Sequence, residues 1–120
     1  MITAIYIFIG GGLGSLLRYG IGSAVKNWTE MPFPLGTFLS NLLACILLAV
    51  FTVIISSKAD QAEWIKPLLI VGFCGGFSTF STFGYETATL IQQGHVTVAL
   101  INILLSVSVG VGLIYWILSK

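Results

Sequence analysis

Charge is what this sequence has least of. Five basic and four acidic residues make up only 8% of its 120 positions, against 57% hydrophobic, and the mean hydropathy is +1.04. A soluble domain of this size cannot hide so much apolar surface, so the chain reads as an integral membrane protein. There is no basic run for nucleic acid and no acidic tail. Cysteine is also scarce: Cys45 and Cys74 both fall in apolar segments and read as unpaired packing residues. No positive charge precedes the apolar stretch from Met1 to Leu17, so that stretch reads as a retained helix and not a cleaved leader. No pair of titratable groups converges with a plausible nucleophile, and no glycine loop suits a phosphate, which argues against an enzyme.

What is present is four uncharged or nearly uncharged segments. Their approximate spans are 2–25, 35–55, 67–92 and 96–118, each long enough to cross about 30 Å of hydrocarbon. Lys26 to Pro34 is a polar, proline-bearing turn, Ser56 to Lys66 a short charged loop, and Gly94 and His95 a tight turn. Pro67 suits the first turn of the third helix. The expected fold is a single all-α transmembrane domain of four helices, with no room in its loops for a soluble domain.

Four spans put both termini on one side. That side carries Lys58, Lys66 and Lys120, and the other Lys26 plus Arg18 if its long stem snorkels from the end of the first helix. So even a balance allows insertion either way up. Four helices also leave little space for a water-filled path, so transport is more easily built between two copies.

Polar groups inside the spans are costly and point to function. Gly10 and Gly14 have the small-xxx-small spacing of close helix packing. Arg18, one turn on, reads either as an interfacial anchor or as an anion-attracting charge at a pore mouth. Thr37, Asn41 and Cys45 stack on one face of the second helix. The Asn41 amide needs a partner or water, and serves either as helix-to-helix glue or as a replacement for part of an anion's hydration shell. On the fourth helix Asn102, Ser106 and Gly110 form one stripe, and Ser108 and Gly112 another. Glu86 is the only acid well inside a span. It reads as a vestibule residue, a partner for Arg18, or a proton carrier.

The third span is the centre of the pattern: Gly72-Phe73-Cys74-Gly75-Gly76-Phe77-Ser78-Thr79-Phe80-Ser81-Thr82-Phe83. Paired glycines favour a backbone break, and the hydroxyls after them can replace freed backbone hydrogen bonds. The break is expected near Gly75 to Thr79. Phe77, Phe80 and Phe83 recur every three residues and would share one side of a continuous helix.

That motif, with Gly11-x-x-Gly14-Ser15-x-x-Arg18-Tyr19 and Gly36-Thr37-x-x-x-Asn41, resembles the Fluc family of fluoride channels, also called CrcB proteins. The likeness covers the whole chain. It implies a multi-pass protein of the cell membrane, assembled as an antiparallel, dual-topology homodimer with two fluoride pores at the interface. Residue by residue it implies that Asn41 lines a pore, that Phe80 and Phe83 offer ring edges to the ion, and that Ser81, Thr82 and Ser108 lie along the path. Arg18 and Glu86 would stand at the vestibule or pore mouth. A structural sodium ion at the dimer centre would be held by the backbone carbonyls of Gly75 and Ser78. The implied activity is passive, electrogenic export of fluoride that protects against its toxicity.

Two other classes compete. A proton-coupled transporter resembling the small multidrug-resistance proteins needs an acid in the first helix, and none lies between Met1 and Val25. A non-transporting membrane scaffold leaves the phenylalanine, serine and threonine repeat beside paired glycines without a purpose.

Overall fold

The computed structural model describes residues 1–58 and 63–120, and within these all regular structure is helical. Helix α1 is Ile2–Trp28 and α2 is Leu35–Ser56. The third span starts as a π-helix, Pro67–Cys74, and continues as one α turn, Gly75–Phe77; residues 67–77 are α3 here. It resumes as α4, Phe80–Gln92, and α5 is Val96–Leu118. Four segments are long and apolar enough to cross a membrane, with Pro67–Gln92 as the third. The first helix thus runs three residues past Val25. The charged loop before Pro67 falls partly on residues 59–62, outside those described.

Local chemistry sets the ends. Pro67 stands in the first turn of α3, where its missing N–H costs nothing. Gly94, with φ of +87°, closes α4: its N–H donates to Ile91 O at 3.1 Å and that of His95 to Leu90 O at 2.8 Å. This is a Schellman stop, which needs a left-handed residue.

Helix α2 touches every other element, with α1 and α5 on opposite sides of it. The assembly is a slab of 52 × 31 × 23 Å, so its thin dimension is about two helix diameters of 10–12 Å each. Within lipid the apolar side chains gain little by leaving the bilayer for one another, so close backbone packing and hydrogen bonds hold the helices.

The closest packing joins α1 to α3. Gly10 and Gly14 are buried, as their spacing implied. A methyl group built on Gly10 would meet the Leu68 carbonyl oxygen, and one on Gly14 the Phe73 carbonyl oxygen. Gly76 is the reciprocal case, its added carbon running into the Gly11 backbone. On the far side, α4 and α5 are tied by polar groups. Asn102, 1% exposed, donates through Nδ2 to Thr87 Oγ1 at 3.0 Å and accepts from Ser106 Oγ at 3.2 Å.

The break in the third span falls within the expected stretch, Gly75 to Thr79, at its far end, and the side expected for Phe77 is corrected. Gly75 is helical, with φ −64° and ψ −38°, so the glycine pair is not where the backbone turns. The extended residues are Ser78 (φ −84°, ψ 158°) and Thr79 (φ −152°, ψ 125°). Gly76 is there for its close approach to α1. Phe77 likewise does not share a side with Phe80 and Phe83. It lies before the break, 1% exposed, with its ring 5.8 Å from that of Phe73.

Thr79 is the N-cap of α4, its Oγ1 accepting from Thr82 N–H at 3.1 Å. Thr79→Ala removes that acceptor. Thermal unfolding in detergent is expected to show a loss of about 1 kcal/mol, the usual worth of such a cap.

Candidate functional site

Three features converge on the break. The first is Asn41, brought from α2. Its Oδ1 accepts from the Thr79 N–H at 2.7 Å and its Nδ2 donates to the Thr79 carbonyl at 3.2 Å. The second is Arg18, brought from α1 by the glycine packing. Its Nε donates to the Gly76 carbonyl at 3.1 Å, and Ser15 Oγ donates to the same oxygen at 3.5 Å. Arg18 therefore reaches the break through its Nε, and no ion pair joins it to Glu86 among the described residues. The third is the pair of rings after the break. Phe80 and Phe83 lie with centroids 5.9 Å apart and planes tilted by 45°.

These rings open an apolar groove on the outer face. It has a volume of about 270 Å³, and Asn41, Cys45, Ser78, Phe80, Phe83 and Ser106 are among its walls. Phe80 is 83% exposed, standing at the rim, while Phe83 is half-buried. Ser106 joins the groove although its pattern placed it only on a helix stripe. Its signal was the i, i+4 step from Asn102, which turns that stripe inward. Ser108 is exposed on the opposite stripe of α5, and Ser81 is exposed as well, with its hydroxyl 3.3 Å from that of Thr79. Thr82 is half-buried.

Glu86 lies elsewhere. It borders a larger cavity of about 690 Å³ at the α1–α2 turn, shared with Gly22, Lys26, Glu30, Gly36 and Thr37. Among the described residues Glu86 Oε1 has no hydrogen-bond partner. Thr37 in that cavity and Asn41 and Cys45 in the groove belong to one stripe of α2, each step being about 6 Å along the axis. The stripe leads from one cavity to the other.

The break also leaves carbonyls without donors. In a continuous helix Thr79 N–H would serve Gly75 O and Thr82 N–H would serve Ser78 O. Here both amides are taken by side chains, Asn41 Oδ1 and Thr79 Oγ1. The Phe77 carbonyl loses its partner too, but Phe77 is buried, whereas Gly75 is exposed and Ser78 half-buried. Gly75 and Ser78 are thus the two residues at the break whose carbonyls lose a helical donor and which are not buried. Among the described residues no group of three or more His, Cys, Asp or Glu side chains suits a metal.

Residues 5–118 match the family described as CrcB-like protein, Camphor Resistance (CrcB). The chain belongs to the CrcB family. Relatives carrying the name fluoride-specific ion channel FluC include that of Flavobacterium psychrophilum, 37% identical over 110 residues, covering 92% of this chain and 89% of the relative. That of Pyrococcus abyssi is 39% identical over 114 residues, 94% and 90% of the two chains. The Pyrococcus horikoshii protein is 40% identical over 110 residues, 91% and 87%. The family match runs through all four spans, so the broken third span, the rings after it and the asparagine beside it all lie within it.

Proposed function

We propose that this CrcB protein is a fluoride-selective channel, passing the ion passively out of the cell. The observation that carries this reading is the groove in which the Phe80 and Phe83 rings meet the Asn41 amide on the outer face. Fluoride is small and strongly hydrated, so a selective path must offer donors in place of water without holding the ion too tightly. Asn41 keeps one amide hydrogen beyond its bond to Thr79, and each aromatic ring has a positive edge suited to an anion. Arg18 adds positive potential behind the break. The stripe through Thr37 connects the groove to the vestibule that holds Glu86.

The working unit is an antiparallel homodimer with two pores. The support is physical: the open carbonyls of Gly75 and Ser78, with exposed Ser81 and Ser108, lie on outer faces within the spans, where lipid satisfies no polar group. A second copy covers them, and a two-fold relation pairs the same patch with itself. Taking Arg18 out of the loops leaves three lysines on one side and Lys26 on the other, so dual insertion rests on the family likeness more than on charge balance. Facing copies would present Gly75 and Ser78 carbonyls as oxygen ligands for a sodium ion, which would supply fixed positive charge at the centre of the dimer. The exposed carbonyls fit such a hard cation.

The test is efflux from liposomes loaded with potassium fluoride, read with a fluoride electrode. Release is expected when a potassium ionophore relieves the charge, with little release from matched potassium chloride vesicles. Release that needs a proton gradient would move the protein to coupled transport with Glu86 as carrier. No release from folded protein would overturn both.

A further inference from the structure

We infer that Asn41 is a positioning residue for the break itself, a role separate from lining the groove and one that decides which carbonyls the chain leaves open. The geometry carries this. Thr79 is extended, and an extended residue presents its N–H and C=O on one side, as in a hydrogen-bonded pair of an antiparallel ladder. Asn41 takes both groups at once, at 2.7 and 3.2 Å. A primary amide is the side-chain group that copies a peptide edge, with an acceptor and a donor side by side. Glutamine has the same group one carbon farther out; serine offers a single atom and cannot span both.

The bond does more than satisfy Asn41. With its N–H held by Oδ1, Thr79 does not close the helical bond to Gly75 O, and α4 cannot grow backward over the break. From the other lip, Arg18 and Ser15 occupy the Gly76 carbonyl. Side chains of α1 and α2 therefore pin Gly76 and Thr79, leaving the carbonyls of Ser78, between them, and of Gly75, just before them, without a helical donor. Asn41 thereby couples the groove wall to the carbonyl pair, and a change at Asn41 reaches any cation held there without touching it. This consequence for a cation rests on the sodium reading above; the pinning of Thr79 does not.

The experiment has three arms on the full chain in lipid nanodiscs or liposomes. In the native protein, residue-resolved amide exchange is expected to find Thr79 N–H protected although it has no backbone acceptor. Exchange as fast as that of the exposed Glu30 amide in the α1–α2 turn would overturn the inference. In Asn41→Gln and Asn41→Ser, Thr79 exchange is expected to speed up at least about tenfold, the loss of one buried hydrogen bond. Unchanged exchange in a folded variant with impaired fluoride efflux would confine Asn41 to the groove and overturn the inference. In the third arm, the sodium concentration giving half-maximal fluoride efflux is expected to rise about tenfold in the variants, with flux recovered at high sodium. A native protein indifferent to sodium would sink the sodium reading alone, the exchange results still deciding the pinning. A native protein that needs sodium, with variants not rescued by it, would overturn the coupling. If both variants fail to fold, the native exchange arm alone decides.

Discussion

Phe83→Ile is expected to slow fluoride efflux about a hundredfold, the effect of raising the barrier by about 2.7 kcal/mol. Isoleucine keeps an apolar side chain at a half-buried position, so the α4 and α5 packing through Thr87 and Asn102 stands. What disappears is a ring edge. Phe83 forms one wall of the groove beside Asn41 and lies against Phe80 with its plane tilted by 45°, and no aliphatic group offers an anion the positive rim of an aromatic ring. Initial efflux rates from liposomes holding equal amounts of native and variant protein, each shown to be monodisperse in detergent, make the comparison. Equal rates would remove Phe83 from the ion's path.

Gly14→Ala is expected to have the largest effect on the fold. The added carbon falls on the Phe73 carbonyl oxygen and comes 2.7 Å from the Phe77 nitrogen. Both are backbone atoms, with no rotamer to escape into, so α1 and α3 must separate. The cost is about 3 kcal/mol, the upper part of the range for overpacking. The separation also carries Arg18 and Ser15 away from the Gly76 carbonyl, so the break loses one of its two supports. Gly12→Ala is the control. A carbon there meets nothing within 4 Å, and in a helix the change is neutral or mildly stabilising. Melting temperatures of the two variants in detergent should therefore diverge in opposite directions from the native value, or at least leave Gly12→Ala unmoved. A Gly14→Ala protein as stable as the native one would contradict the packing described for α1.

The spans were legible because crossing a bilayer demands length and apolarity together, and both are written residue by residue. The stop at Gly94 was equally local. The site was legible in its parts and less so in its connections. The glycine pair at Gly75 and Gly76 signals either a break or a close approach, and one sequence does not separate the two. The structure puts close approach at Gly76 and the break two residues later, where Thr79 caps the next helix. Asn41 read as either glue or a pore donor because its partner, Thr79, is 38 residues away. In the structure both of its amide groups meet Thr79 at the break, and its side chain also forms part of the groove wall. Arg18 read as an interfacial or pore-mouth charge because the carbonyl it seeks becomes available only once the third span is broken. Ser106 read only as part of a polar stripe with Asn102 and Gly110, because a serine on a stripe carries no direction until the helix is docked.

The most direct test of the central claim is the reversal potential of the current in a planar bilayer. Potassium is held equal on the two sides, fluoride is tenfold higher on one, and chloride is tenfold higher on the other. The account predicts reversal near the fluoride equilibrium potential, about 59 mV for a tenfold gradient of a monovalent ion, with the sign set by fluoride. Reversal near zero would mean a path that does not distinguish the two anions, and reversal of the opposite sign a chloride path. Either would contradict the fluoride selectivity assigned to Asn41, Phe80 and Phe83.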